Sequence, residues 1–96
     1  MKIKVANYIS QFLVDHGVTD AFSVVGGGAM HLNDAFGHQE GLHTTYNHHE
    51  QACAIAAEAY ARLENKIALV CVTSGPGGIN ALTGVAAVGL IQFLCL

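Results

Sequence analysis

The chain has 96 residues, of which 52% are apolar and 11% charged, with a formal charge of −3 at neutral pH. A chain of this length holds one small domain that buries only about 60–65% of its unfolded surface, so a composition this apolar predicts an exposed face that calls for a partner. The four cations, Lys2, Lys4, Arg62 and Lys66, form no stripe, which excludes nucleic acid as a partner class.

Val5, Ile9, Phe12 and Leu13 recur at helical spacing ahead of Gly17, which predicts a first helix over residues 4–16 that stops in a left-handed turn. The N-terminal segment lacks the apolar run and small-residue cleavage site of a signal peptide, so the expected compartment is the cytoplasm. The short apolar run 21–25, between Asp20 and the glycines, predicts a buried strand. Residues 29–36 accommodate two helical turns before a break at Gly37. A second strand is expected to begin near Leu42 and to include Thr44, Thr45 and Tyr46. Residues 47–63 read as a helix with Ala52, Ala56, Ala59 and Leu63 on one side and Cys53 and Tyr60 beside them; so many alanines predict close approach to another element. Residues 67–72 read as a third strand, 73–78 as a turn and 80–90 as a fourth helix. Apolar strands alternating with helices predict an α/β fold, a doubly wound parallel sheet covered on both faces. Cys53, Cys71 and Cys95 are odd in number and set in apolar surroundings, which predicts buried thiols in a reducing compartment.

In an open parallel sheet, ligands bind beyond the carboxyl ends of the strands. Three signals fall there: Gly26, Gly27 and Gly28; the cluster Asn47-His48-His49-Glu50; and the segment Thr73-Ser-Gly-Pro-Gly-Gly78. The glycines permit close backbone approach but lack the Gly-Lys-Ser/Thr of a phosphate loop, and His31 occupies the last glycine position of a dinucleotide pattern. Taken alone, they serve equally as a tight strand-to-helix turn. Glu50, three residues after Asn47, fits a capping box in which Asn47 caps the helix and the carboxylate returns a hydrogen bond. On spacing alone that is the simpler reading, the other being a functional carboxyl beside the glycine turns. The six histidines show no zinc-site spacing with a Cys or His partner, so no metal site is expected.

Taken together, Phe22-Ser-Val-Val-Gly-Gly27, His49-Glu-Gln-Ala52 and Thr73-Ser-Gly-Pro-Gly-Gly-Ile-Asn80 resemble a set of motifs found in register in one family. These are Phe-Gly-Val-Pro-Gly-Gly, His-Glu-Gln/Ala-Ala and Thr-Ser-Gly-Pro-Gly-x-x-Asn of the pyrimidine-binding domain of thiamine diphosphate enzymes. That family includes acetolactate synthase, pyruvate oxidase and related 2-oxo acid decarboxylases. The resemblance runs from the first helix to about Ala87, with Val25 standing where the family has Pro.

The resemblance implies that Glu50 is the carboxyl that meets N1′ of the cofactor's aminopyrimidine. In a dry pocket its pKa is raised, so that it stays protonated and donates, favouring the 4′-imino tautomer that takes the C2 proton of the thiazolium. It implies that Gly26 and Gly27 lie close to the pyrimidine, that Pro76, Gly77 and Asn80 line its ring, and that Thr73 has a substrate role near the reacting carbon. It also implies thiamine diphosphate as the cofactor, with the diphosphate and Mg²⁺ held by a different domain; the Gly-Asp-Gly to Asn-Asn segment usual there is not in this chain. The parent enzyme would be a homodimer or homotetramer with the site between subunits, acting on a 2-oxo acid by decarboxylation or carboligation, with no membrane partner. This chain alone would be an inactive half-site.

Residues 1–87 are accordingly read as a partial pyrimidine-binding domain, incomplete at its C-terminus, and 88–96 as an aberrant apolar tail. The family continues beyond Ala87 with Trp-Leu-Asp-Ser-Ile-Pro-Met-Leu, whereas this chain reads Gly89-Leu-Ile-Gln-Phe-Leu-Cys-Leu96. One string of bases read in neighbouring frames encodes both, which points to a frameshift at or just before Val88. The apolar stretch from Ala81 is shorter than the ~20 residues of a membrane span. Two other readings stay open on sequence alone: a stand-alone α/β nucleotide-binding module with the three glycines as its phosphate loop, and a non-functional remnant that folds poorly.

Overall fold

The computed structural model describes residues 2–88 and 92–95. Helix α1 (Val5–Asp15) ends at Gly17, whose φ of 90° lies in the left-handed region that glycine enters without a Cβ penalty. Strand β1 (Asp20–Ser23) leads through a 3₁₀ turn at Gly27–Ala29 into α2 (Met30–His38). Strand β2 (His43–Tyr46) and α3 (Glu50–Glu64) follow, then β3 (Ala68–Cys71), α4 (Pro76–Val88) and β4 (Gln92–Cys95).

The strands pair in parallel in the order β2-β1-β3-β4. Successive strand residues point to opposite faces, and this splits the core in two. Ala21, Leu69 and Cys71 pack with Leu13 of α1 and Phe36 of α2, together with Val18 and Leu42. Ala68, Val70 and Val72 pack on the other side with Cys53, Ala54, Ala57 and Ala61 of α3 and Ala81 of α4. Both faces of the sheet are therefore covered, which is the doubly wound α/β arrangement expected from the sequence. Strand β3 is buried along its whole length, as an inner strand must be, whereas the edge strand β2 leaves His43 and Tyr46 exposed.

Local details differ from expectation for identifiable reasons. Helix α2 does not break at Gly37 but runs on to His38, and the left-handed residue closing this segment is Gly41, with φ 85°. The buried face of α3 is Cys53, Ala54, Ala57 and Ala61; of the face predicted, Leu63 is 85% exposed. Alanines recur at several registers along α3, so apolar spacing could not choose the face, and the neighbouring helix does. Gly84 of α4 lies so close that a Cβ there would overlap the Cβ of Ala54, which is the close approach that the alanines predict.

Helix α4 starts at Pro76 rather than near Asn80. Proline suits a first helical position because its missing N–H would have no intrahelical partner anyway, and Ile79 N–H already donates to the Gly75 carbonyl at 3.1 Å. Of the tail at 88–96, Gln92–Cys95 add to the outer edge of β3 as β4, while residues 89–91 and 96 lie outside the described residues. Among the described residues, no helix is long and apolar enough to cross a membrane.

Candidate functional site

From β1 the chain passes through α2 to β2 on one side, while β3 lies against the other edge of β1. The carboxyl ends of β1 and β3 thus flank a point where the strand order reverses, the usual place for a ligand in an open α/β sheet. A glycine-rich turn follows each of these two strands. The third strand end is tied to the first by Asn47 N–H, which donates to the Ser23 carbonyl at 3.0 Å, and α3 begins just beyond it.

Glu50 is the first residue of α3. The helix is capped by His49, whose Nδ1 accepts from Gln51 N–H at 3.1 Å, and Asn47 instead accepts from Cys53 Sγ at 3.4 Å. The capping box expected between Asn47 and Glu50 is therefore absent: the acid sits at the first helical position, where it cannot return a bond to an Asn47 cap. Its carboxyl instead reaches α4. Asn80 Nδ2 donates to Glu50 Oε2 at 3.2 Å, and Oε1 lies 3.6 Å from where a Cβ on Gly77 would stand.

This environment holds the Glu50 carboxyl below its ordinary pKa of 4.5. Its own backbone N–H at the helix start is the largest cause and the Asn80 amide the next, with slight desolvation opposing and His49 assisting. The raised pKa implied by the family resemblance is thus not a property of this chain by itself, because Glu50 is only half-buried.

Thr73, just beyond β3, joins the two glycine turns. Its Oγ1 accepts from Gly28 N–H at 3.1 Å. A Cβ at Gly26 would come within 2.6 Å of Thr73 Cβ, one at Gly28 within 2.7 Å of Thr73 Oγ1, and one at Gly77 within 2.9 Å of Thr73 Cγ2. One threonine therefore accounts for three glycines. Gly27 is different, because nothing lies within 4 Å of the side chain it lacks. Under the turns, Ser23 Oγ donates to the Cys71 carbonyl at 2.9 Å and lies 3.2 Å from Asn33 Oδ1, linking β1, β3 and α2.

The structure thus gathers Gly26, Gly27, Glu50, Thr73, Gly77 and Asn80 at one edge of the sheet, with Pro76 exposed at the start of α4. Beside them Val25, Gly26, Gly27, Met30 and Asn33 line a shallow, mostly apolar depression. Sequence reasoning missed the Gly28 contact and the polar link through Ser23 and Asn33; a lone serine within an apolar strand was the available signal. The phosphate-loop reading loses a donor here, since the Gly28 N–H is engaged by Thr73. Among the described residues, no group of three His, Cys, Asp or Glu side chains could hold a metal ion.

Residues 3–91 match the family described as thiamine pyrophosphate enzyme, N-terminal TPP binding domain. The chain is 39% identical over 84 residues to the acetolactate synthase large subunit of Haemophilus influenzae, covering 88% of this chain and 15% of that protein. It is 41% identical over 78 residues to the large subunit of Lactococcus lactis subsp. lactis, covering 81% and 14%. Against the acetolactate synthase isozyme 3 large subunit of Escherichia coli it is 37% identical over 81 residues, covering 84% and 14%. The chain thus spans about one seventh of the length of these relatives.

Proposed function

Because the chain belongs to the family of thiamine pyrophosphate enzyme N-terminal TPP binding domains, we propose that it forms the half of a thiamine diphosphate site that receives the aminopyrimidine. The parent would be an acetolactate synthase-like enzyme acting on 2-oxo acids by decarboxylation or carboligation. The observation that carries this reading is the position of Glu50, a carboxyl at a helix start held by Asn80 beside Gly77, where the turns after β1 and β3 meet.

The residues present fit the group. A flat ring with a nitrogen at its edge needs an unobstructed backbone surface and a single carboxyl at the rim, and Gly27 and Glu50 have these properties. In this reading Gly26 and Gly27 offer backbone to the pyrimidine, Pro76, Gly77 and Asn80 line it, and Glu50 holds a proton at N1′ while Asn80 orients its carboxyl. When bound, the cofactor supplies the electron sink for loss of carbon dioxide from a 2-oxo acid.

Glu50 requires a cover for this role. Its depressed pKa leaves it ionised at neutral pH in the single chain, and a donor to N1′ must be protonated. A second subunit laid over this edge withdraws water from the carboxyl and pushes its pKa up. Ile55 on α3 and Ile79 and Leu82 on α4 are exposed and suit such a cover. The working assembly is accordingly a homodimer or homotetramer with the site between subunits, and a further domain holds the diphosphate and Mg²⁺. A cofactor fixed at one end only is not oriented for reaction, so the chain alone has no activity.

The test is a titration of the isotope-labelled chain with the cofactor's aminopyrimidine fragment, read by NMR. Amide signals of Gly26, Gly27, Gly77 and Asn80 should shift together, and Glu50→Ala, which leaves no polar group for N1′, should suppress the response. Shifts confined to other regions, or an undiminished response in Glu50→Ala, reject the reading. A response to ATP at the three glycines in place of these shifts would favour a nucleotide-binding module.

A further inference from the structure

We propose that Thr73 is a positioning residue: its side chain is a wedge that sets the separation of the turns after β1 and β3 and, through the first turn of α4, the reach of Asn80 to Glu50. This rests on the half-site reading only for what the separation serves. The side chain occupies space that three glycines leave free: a Cβ at Gly26 would meet Thr73 Cβ at 2.6 Å with Cγ2 and Oγ1 close behind, one at Gly28 would meet Oγ1 at 2.7 Å, and one at Gly77 would meet Cγ2 at 2.9 Å. The wedge has a polar flank and an apolar one. The hydroxyl oxygen accepts from Gly28 N–H in the first turn, while the methyl seats on Gly77, a buried residue at the second position of α4.

Asn80 follows Gly77 by three residues and shares its side of the helix. Any displacement of Gly77 away from Thr73 therefore carries Asn80 away from Glu50, which it holds at 3.2 Å. This role differs from the substrate contact that the family resemblance implies for Thr73, because the oxygen and both flanks of the side chain are engaged within the protein.

The atom-by-atom fit makes the wedge testable by compensation. Gly77→Ala meets only the Cγ2 of Thr73 closely, and should lower the melting temperature of the chain by about 5–15 °C. Thr73→Ser removes that methyl, so the double variant Thr73→Ser/Gly77→Ala should regain at least half of the loss, or fold where Gly77→Ala does not. Gly26→Ala meets Thr73 Cβ most closely, at 2.6 Å, with Cγ2 behind it at 2.9 Å; serine retains the closer contact, so Thr73→Ser should relieve Gly26→Ala much less than it relieves Gly77→Ala. In Thr73→Ala the wedge is gone without a clash: the Gly28 amide should exchange about fivefold faster with solvent, and the Glu50 carboxyl should titrate at higher pH as Asn80 drifts from it. A double variant no better than Gly77→Ala, or a Glu50 titration unchanged in Thr73→Ala, overturns the proposal. None of these measurements involves the cofactor. Their failure removes the wedge and leaves the half-site reading standing, whereas a failed aminopyrimidine titration does the reverse.

Discussion

Asn80 Nδ2 lies 3.2 Å from Glu50 Oε2, so two residues thirty apart in sequence join α3 and α4 near their starts. The folded pKa of Glu50 is below its ordinary 4.5, so the stability it contributes is complete above the unfolded value and is lost as pH falls through the folded one. Asn80→Ala removes the second-largest cause of that depression. It should raise the carboxyl's titration midpoint and reduce the loss of stability on acidification below about 4.5, as measured by urea unfolding across a pH series of both proteins.

The contact between Gly84 and Ala54 leaves no room for a side chain. Gly84→Ala should cost about 1–3 kcal/mol, the usual penalty for overpacking a tight contact, despite alanine's better helix propensity. Urea denaturation measures the loss. A variant as stable as the parent would show that α3 and α4 can separate freely.

At the opposite end of β1, Tyr60 Oη donates to Asp20 Oδ2 at 2.5 Å and lies 3.1 Å from Thr19 Oγ1. Its pKa is raised above 10.0, chiefly because Asp20 accepts the phenol's proton. A raised folded pKa means that this stability is present below the unfolded pKa and is lost as pH rises through the folded one. Tyr60→Phe keeps the ring against Phe22 but should lose about 1 kcal/mol near neutral pH. It should also lack the parent's decline above about pH 10, which thermal melts in alkaline buffer would read.

Cys53 is buried, its Sγ donates to Asn47 Oδ1, and burial is the main cause pushing its thiol above the usual value. Alkylation of Cys53 by iodoacetamide should therefore be slow in the native chain and at least tenfold faster in urea, followed by peptide mass spectrometry. Equal rates would mean that the α3 face is open.

The architecture was legible because strand and helix segments differ in length and composition, and because Gly17 closes its helix by a rule that sequence carries. The gathering of Gly26, Glu50, Thr73 and Asn80 at one edge also followed, since it needs only parallel strands and the sites that come after them. The choice of face on α3 was not legible: alanines at positions 52, 54, 56, 57, 59 and 61 satisfy more than one stripe, and Gly84 on a later helix decides between them. Nor could the sequence distinguish a capping box from a carboxyl pointed at α4, because the Asn47 and Glu50 spacing is compatible with either and only the His49 cap resolves it. The ionisation of Glu50 depends on what surrounds it in space, which spacing along the chain does not contain.

The insertion of β3 beside β1, rather than beyond β2, has a consequence for how the molecule comes into being. On a ribosome, Glu50 emerges well before the Asn80 side chain that holds it, and β1 waits with one edge bare until residue 68 and its successors arrive. The candidate edge cannot preform locally and must await long-range closure, the slow kind of step in folding. In this chain, the meeting of Glu50 with Asn80 and the pairing of β3 with β1 belong to a single event.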